Sequence, residues 1–217
     1  LSAAQNDRRV KAVLLRINSP GGSVAASETL LDLLERYKQR TGKPIIVSMG
    51  ELAASGGYYI SMAADRIVAQ PGTITGSVGV IIPTVNLADG MSRIGIVSRS
   101  VTSGPNKDIA NPLEPIDEAH YALLQGMVDD FYTQFRELVL TRRPGISDPS
   151  AALDGRVMTG RQALEAGLVD ELGSLIDAYD TARELADAPG ADLVKLHRSD
   201  SRPLTPYASV RGGSPAP

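Results

Sequence analysis

The chain has 217 residues, of which 42% are apolar and 22% charged, with a net charge of −3. That is a globular balance with length enough for a domain with a real core, and it offers no basic surface for phosphate, so nucleic acid is not expected as a partner. The absence of cysteine excludes thiol nucleophiles, disulfides and thiolate metal sites.

Residues 10–17 form a short apolar run (Val10, Ala12, Val13, Leu14, Leu15, Ile17) that predicts a buried strand. A dense turn signal, Asn18-Ser19-Pro20-Gly21-Gly22, ends it. Leu30, Leu31, Leu34 and Tyr37 then recur at helical spacing, and Thr41-Gly42-Lys43-Pro44 stops that helix. A second strand is predicted over 45–49, a helix over 53–64 despite two glycines, and strands over 66–69, 77–82 and 94–101. The pattern Ala119, Leu123, Met127, Phe131, Phe135, Leu138 predicts a long helix over 115–143. Shorter helices are expected over 159–166 and 175–185, and a last strand over 193–196. Strands alternating with helices predict an α/β domain with largely parallel pairing. Residues 1–197 are expected to form it, and 198–217, rich in Ser, Pro, Gly and Arg, a disordered tail. No apolar run approaches the ~20 residues of a membrane-spanning helix. The first residue is Leu1 rather than Met, so any anchor is expected upstream.

Three segments carry chemistry. In Asn18-Ser19-Pro20-Gly21-Gly22-Ser23 the glycines at a strand-to-helix turn allow backbone N–H groups to face a developing oxyanion; the same residues also suit an ordinary Gly-rich turn with a helix cap. In Glu51-Leu52-Ala53-Ala54-Ser55-Gly56-Gly57-Tyr58-Tyr59 small residues flank Ser55 where a helix begins, favouring negative charge near its hydroxyl and the Gly56 N–H; a plain N-cap serine is the other reading. A nucleophilic serine needs a base. Histidine is the usual one, but only His120 and His197 are present, and both read as solvated surface residues. The third segment, Ser100-Val101-Thr102-Ser103-Gly104-Pro105-Asn106-Lys107-Asp108, supplies a lysine. A lysine serves only when neutral. Its ordinary pKa of ~10.4 must fall by about 3, a cost of roughly 4 kcal/mol to the protonated form, and most single lysines are simply solvated charges.

Together these segments resemble the signal peptide peptidase A family. The resemblance runs through Asn18 to Val24, Ala53 to Tyr59, Gly72-Thr73-Ile74-Thr75-Gly76-Ser77-Val78-Gly79-Val80, and Ser103 to Asp108. It continues in Gly155-Arg156-Val157-Met158-Thr159-Gly160-Arg161-Gln162-Ala163 and Gly167-Leu168-Val169-Asp170-Glu171-Leu172-Gly173, and covers roughly residues 10–196. It implies a Clp-peptidase-like and crotonase-like α/β fold of repeated strand-strand-helix units, lacking the family's first strands and membrane anchor. It implies a Ser–Lys endopeptidase with Ser55 as nucleophile, Lys107 as general base, Gly22 and Gly56 as oxyanion donors and Ser77 holding the lysine amine. The implied substrates are signal-peptide remnants or other membrane-derived peptides, cut at the extracytoplasmic face of a bacterial membrane. The length is that of the short, single-domain branch, which implies a homo-oligomeric ring with shared sites. No His-Glu-x-x-His and no paired-Asp loop is present, so no metal or cofactor is expected. The alternatives are a crotonase-like acyl-CoA enzyme and a non-catalytic scaffold of the same fold. A Clp-type Ser–His–Asp site is disfavoured, because no histidine falls between Ser55 and His120.

Overall fold

The computed structural model describes residues 1–196. The strand β1 (Val13–Ser19) follows a short helix α1 (Ser2–Asn6) and pairs in parallel with β2 (Ile45–Ala54), Val13 opposite Ile45 through Ile17 opposite Met49. Between them runs α2 (Val24–Thr41). It starts at Ser23, whose hydroxyl accepts from the Ala26 N–H, and stops at Gly42, whose φ of 66° is the left-handed cap a glycine permits. Leu31, Leu34 and Tyr37 are its buried stripe.

Strand β2 is the spine of the sheet. Its first half pairs with β3 (Arg66–Ala69), Ile46 opposite Arg66, and its second half with β4 (Ile74–Gly76), Leu52 opposite Ile74. The sheet continues through β5 (Val157–Thr159) beside β4 and β6 (Glu171–Leu172) beside β3. All pairings are parallel except β4 with β5. Alternation along β2 serves two cores. Ile45, Val47 and Met49 join the larger one with Tyr58 and Ile67. Ile46 faces the other way, with Val68 and with Ala178 and Ala182 of α8 (Leu175–Leu185). A strand buried on both faces shows no polar alternation, which is why this segment is apolar from Ile45 to Met49 except for the buried Ser48.

Behind the turn after β2, α3 (Gly56–Ser61) is locked to the C-terminal part of the chain. The Tyr58 hydroxyl, fully buried, donates to the Leu168 carbonyl at 2.8 Å. Arg143 donates to the Gly167 carbonyl and to both Asp170 carboxylate oxygens, and Asp170 Oδ2 accepts the Ile67 N–H. Burial pushes the Tyr58 phenol well above its usual range. The folded state therefore holds this proton more tightly than the unfolded chain. The stability it contributes is present below the unfolded value of ~10 and is lost as pH rises past it. Tyr58→Phe is expected to cost about 1–3 kcal/mol at neutral pH, because the Leu168 carbonyl loses its partner. Denaturant unfolding from about pH 9 to about pH 11 should show a shallower alkaline loss in the variant.

The long helix α5 (Glu118–Arg142) buries Phe135 and Val139, and Phe135 packs on Tyr59 with ring centroids 4.9 Å apart. Its N-terminal half leaves Leu123 and Met127 half exposed. The remaining helices are short: α4 (Ala88–Arg93), α6 (Pro149–Ala152) and α7 (Gly160–Glu165).

The α/β expectation with largely parallel pairing holds, and the architecture is the Clp-peptidase-like and crotonase-like type. Several boundaries differ. The helix expected over 53–64 is confined to α3, because β2 runs on through Ala54 to pair with Gly76. Residues 77–82 and 94–101 are not strands: apolar runs alone do not supply a neighbouring edge, and Ile81, Ile94, Val97 and Val101 stand exposed. Residues 193–196 are irregular too. The expected tail, 198–217, and His197 lie outside the described residues.

Candidate active site

Ser55 is the first residue beyond β2, with φ 52° and ψ −120°. A side chain at positive φ costs about 1–3 kcal/mol and persists only where its surroundings impose it. Here the Ser55 N–H donates to the Gly76 carbonyl at 2.9 Å, and its carbonyl accepts from Tyr59 N–H at 2.8 Å. The chain is thereby pinned on both sides of a sharp strand-to-helix corner. Ser55 occupies the cap position of α3 but its hydroxyl makes no capping hydrogen bond, so the plain-cap reading fails. The side chain is partly exposed, and among the described residues nothing accepts from or donates to its Oγ.

The first glycine turn closes over this corner. A Cβ on Gly21, whose φ is +112°, would stand 2.8 Å from the Gly56 nitrogen, 2.9 Å from Ser55 Cβ and 3.1 Å from Ser55 Oγ. A Cβ on Gly56 would stand 3.1 Å from the Gly22 nitrogen and 3.3 Å from Gly21 Cα. The two sequence motifs are therefore in direct backbone contact beside the hydroxyl. The Gly22 N–H has no partner among the described residues, and the Gly56 N–H is an orphan donor at the start of α3. In the first motif the cap reading also holds: Ser23 caps α2 while Gly21 lies against Ser55 and the Gly22 nitrogen against Gly56. Asn18 braces the turn, its Oδ1 accepting the Leu52 N–H at 3.1 Å where the β1–β2 register shifts.

The third wall is the β4 turn. Thr73 and Thr75, both buried, donate their hydroxyls to the Gly50 and Ala53 carbonyls at 2.7 Å, fastening β4 to β2. Gly76 and Ser77 follow with φ of 78° and 53°, and the Ser77 N–H donates to the Arg156 carbonyl at 2.7 Å. Ser77 is thus beside the residue that holds Ser55, and partly exposed.

Lys107 is placed differently. It is exposed, in a turn whose N–H donates to the Gly104 carbonyl at 3.2 Å. Its Nζ forms no hydrogen bond or ion pair among the described residues, with Ser55 or with anything else. Ser55, Gly22, Gly56 and Ser77 lie just beyond the ends of β1, β2 and β4; Lys107 belongs to the segment between β4 and α5. That loop is tethered by His120. Expected to be a solvated residue, His120 has a side chain only 14% exposed, with its Nε2 3.0 Å from the Pro105 carbonyl. The loop folds across the start of α5 and covers the ring.

The profile of peptidase family S49 matches residues 37–189. A protein of Synechocystis sp. whose name places it among the proteases is 38% identical over 200 residues, covering 91% of this chain and 71% of the relative. Protease 4 of Haemophilus influenzae is 38% identical over 190 residues, 86% of this chain and 30% of its own length. A chloroplastic serine protease, SPPA of Arabidopsis thaliana, is 32% identical over 215 residues, 98% of this chain and 31% of the relative.

Proposed function

The chain belongs to peptidase family S49 and is a serine peptidase, and from that premise we propose that it cuts peptides through an acyl-enzyme on Ser55 with Lys107 as general base. The observation that carries the reading is the corner at Ser55: a strained, uncapped serine packed against the Gly21 turn, where the Gly22 and Gly56 backbones meet. In the first step the Lys107 amine takes the Ser55 hydroxyl proton as Oγ adds to the scissile carbonyl. The negative oxygen is met by the Gly22 and Gly56 N–H groups, donors already fixed in place. The lysine proton then passes to the departing amine, the acyl group stays on Ser55, and a water activated by the same lysine releases it. Ser77, next to the Ser55 anchor, holds the lysine amine in line.

The base comes from a neighbouring subunit. An exposed Lys107 with no partner among the described residues favours that arrangement. So do the bare apolar side chains earlier in the same segment, Ile94 at 73%, Val97 at 80% and Val101 at 103% exposure, which a second copy would cover. A head-to-tail contact that closes gives a ring, and it desolvates Lys107 only on assembly, which is what a neutral lysine requires. The substrates are extended peptides, signal-peptide remnants and other membrane-derived fragments, in keeping with a relative from Enterococcus faecium named for signal peptide peptidase activity. The site works at the extracytoplasmic face of a bacterial membrane, held there by an upstream anchor; no described helix of this chain is long and apolar enough to cross one.

Complementation tests the shared site. Ser55→Ala and Lys107→Ala subunits, each inactive, are dissociated, mixed and reassembled. The expected outcome is partial recovery, because some junctions then join an intact Ser55 to an intact Lys107. No recovery in verified mixed oligomers would place base and nucleophile in one chain. Full turnover by Lys107→Ala alone would remove the lysine from the mechanism.

A further inference from the structure

Helix α2 presents one buried hydroxyl to the back of the glycine corner. Ser27 is 6% exposed. Its Oγ donates to the Ser23 carbonyl at 3.1 Å, and the same carbonyl accepts the Ser27 N–H at 3.2 Å. The nearest atom to the point where a Gly56 Cβ would stand is Ser27 Oγ, well inside contact distance. The Gly22 nitrogen at 3.1 Å and Gly21 Cα at 3.3 Å come next. Three parts of the chain thus converge on one spot: the second turn of α2, the Gly21-Gly22 turn and the first residue of α3. A hydroxyl is not what the helix itself asks for at this place, since alanine is the better helix former and carries no polar atom to bury.

We propose that Ser27 is a positioning residue for the oxyanion pocket. It acts through Gly56 and the Gly22–Ser23 turn, and touches neither substrate nor the reacting atoms. The inference rests on the reading of Gly22 and Gly56 as the oxyanion donors. Its hydroxyl proton is committed to Ser23, which closes the carbonyl that caps α2 and fixes the turn one residue beyond Gly22. Its oxygen fills the space over Gly56 Cα and sets how closely α3 approaches that turn. The separation and aim of the two N–H groups follow from this contact. Preorganised donors are effective only at the position the oxyanion takes up, and small misplacements in an active site cost up to about 10²-fold in rate. Ser27→Ala removes both the tie to Ser23 and the filler over Gly56, and leaves the helix able to form.

The test compares Ser27→Ala with Gly56→Ala and with Leu31→Val, an apolar core change one turn further along the same helix face. Peptide hydrolysis gives kcat and KM, a peptide boronate that forms a tetrahedral adduct reports oxyanion binding, and thermal melting reports the fold. Ser27→Ala should lower kcat by about tenfold to 10²-fold with KM little changed. Boronate affinity should weaken by a similar factor, at a melting temperature no lower than that of Leu31→Val. Leu31→Val should melt lower and keep both kcat and boronate affinity, which separates positioning from mere stability. If Ser27→Ala binds the boronate like the unmodified enzyme while Gly56→Ala does not, the role of Ser27 is overturned and the oxyanion reading stands. If neither variant weakens the boronate, the oxyanion assignment falls and takes this inference with it.

Discussion

Ser55→Ala should lower peptide hydrolysis by about 10⁴-fold or more while leaving the fold intact, because no acyl-enzyme can form without the hydroxyl. The structural side of this expectation is equally definite. The Ser55 side chain makes no hydrogen bond among the described residues, so its removal takes no such bond from the folded state. The backbone strain at φ 52° belongs to any residue with a Cβ. Ser55→Gly should therefore be as inactive as Ser55→Ala yet melt no lower, its glycine relieving the strain that alanine retains. An inactive Ser55→Ala that also fails to fold would make the serine structural. A folded Ser55→Ala with wild-type turnover would make it a bystander.

The second large effect is expected at Gly21. Alanine there meets two penalties. The φ of +112° disfavours any side chain, and the added carbon stands 2.8 Å from the Gly56 nitrogen and 3.1 Å from Ser55 Oγ. It would press on the proposed nucleophile and on one proposed oxyanion donor together, and loss of one such donor costs about 10²–10³ in kcat. Gly21→Ala should therefore lose at least that much activity. Gly42 is the control: its φ is +66°, and nothing lies within 4 Å of where its Cβ would be. Gly42→Ala should lose about 1 kcal/mol of stability as a helix cap, measured by denaturant unfolding, and keep its kcat. Equal activity losses at both glycines would mean that strain, not the obstruction at Ser55, explains Gly21.

The contrast between these glycines shows what the chain discloses on its own. Gly42 was readable as a helix stop because the Thr41-Gly42-Lys43-Pro44 signal is local. The contact of Gly21 with Gly56 is not local. It depends on β1 and β2 lying side by side so that the turns after them meet; the family resemblance pairs Gly22 with Gly56 but says nothing of Gly21. The apolar runs at 77–82 and 94–101 misled for the same kind of reason. A run of Val and Ile suits a strand, but a strand exists only if another offers its edge, and no propensity supplies one. Ser27 carried no signal at all: a serine inside an amphipathic helix reads as a polar filler until the Cα of Gly56 is found against its oxygen. His120 read as solvated because the Pro105 carbonyl that covers it lies 15 residues back, across a loop. What was legible in the Ser55 segment was its run of small residues, Ala53 to Gly57, which suits a backbone-lined corner.

The most direct measurement is covalent labelling. The assembled protein is treated with a fluorophosphonate until peptide hydrolysis stops, then digested, and the modified residue is located by mass spectrometry. A nucleophilic Ser55 predicts a phosphonyl adduct on the peptide containing Ser55, accumulating in step with the loss of activity and absent from Ser55→Ala. Inactivation with the adduct on another residue and Ser55 unmodified would contradict the assignment.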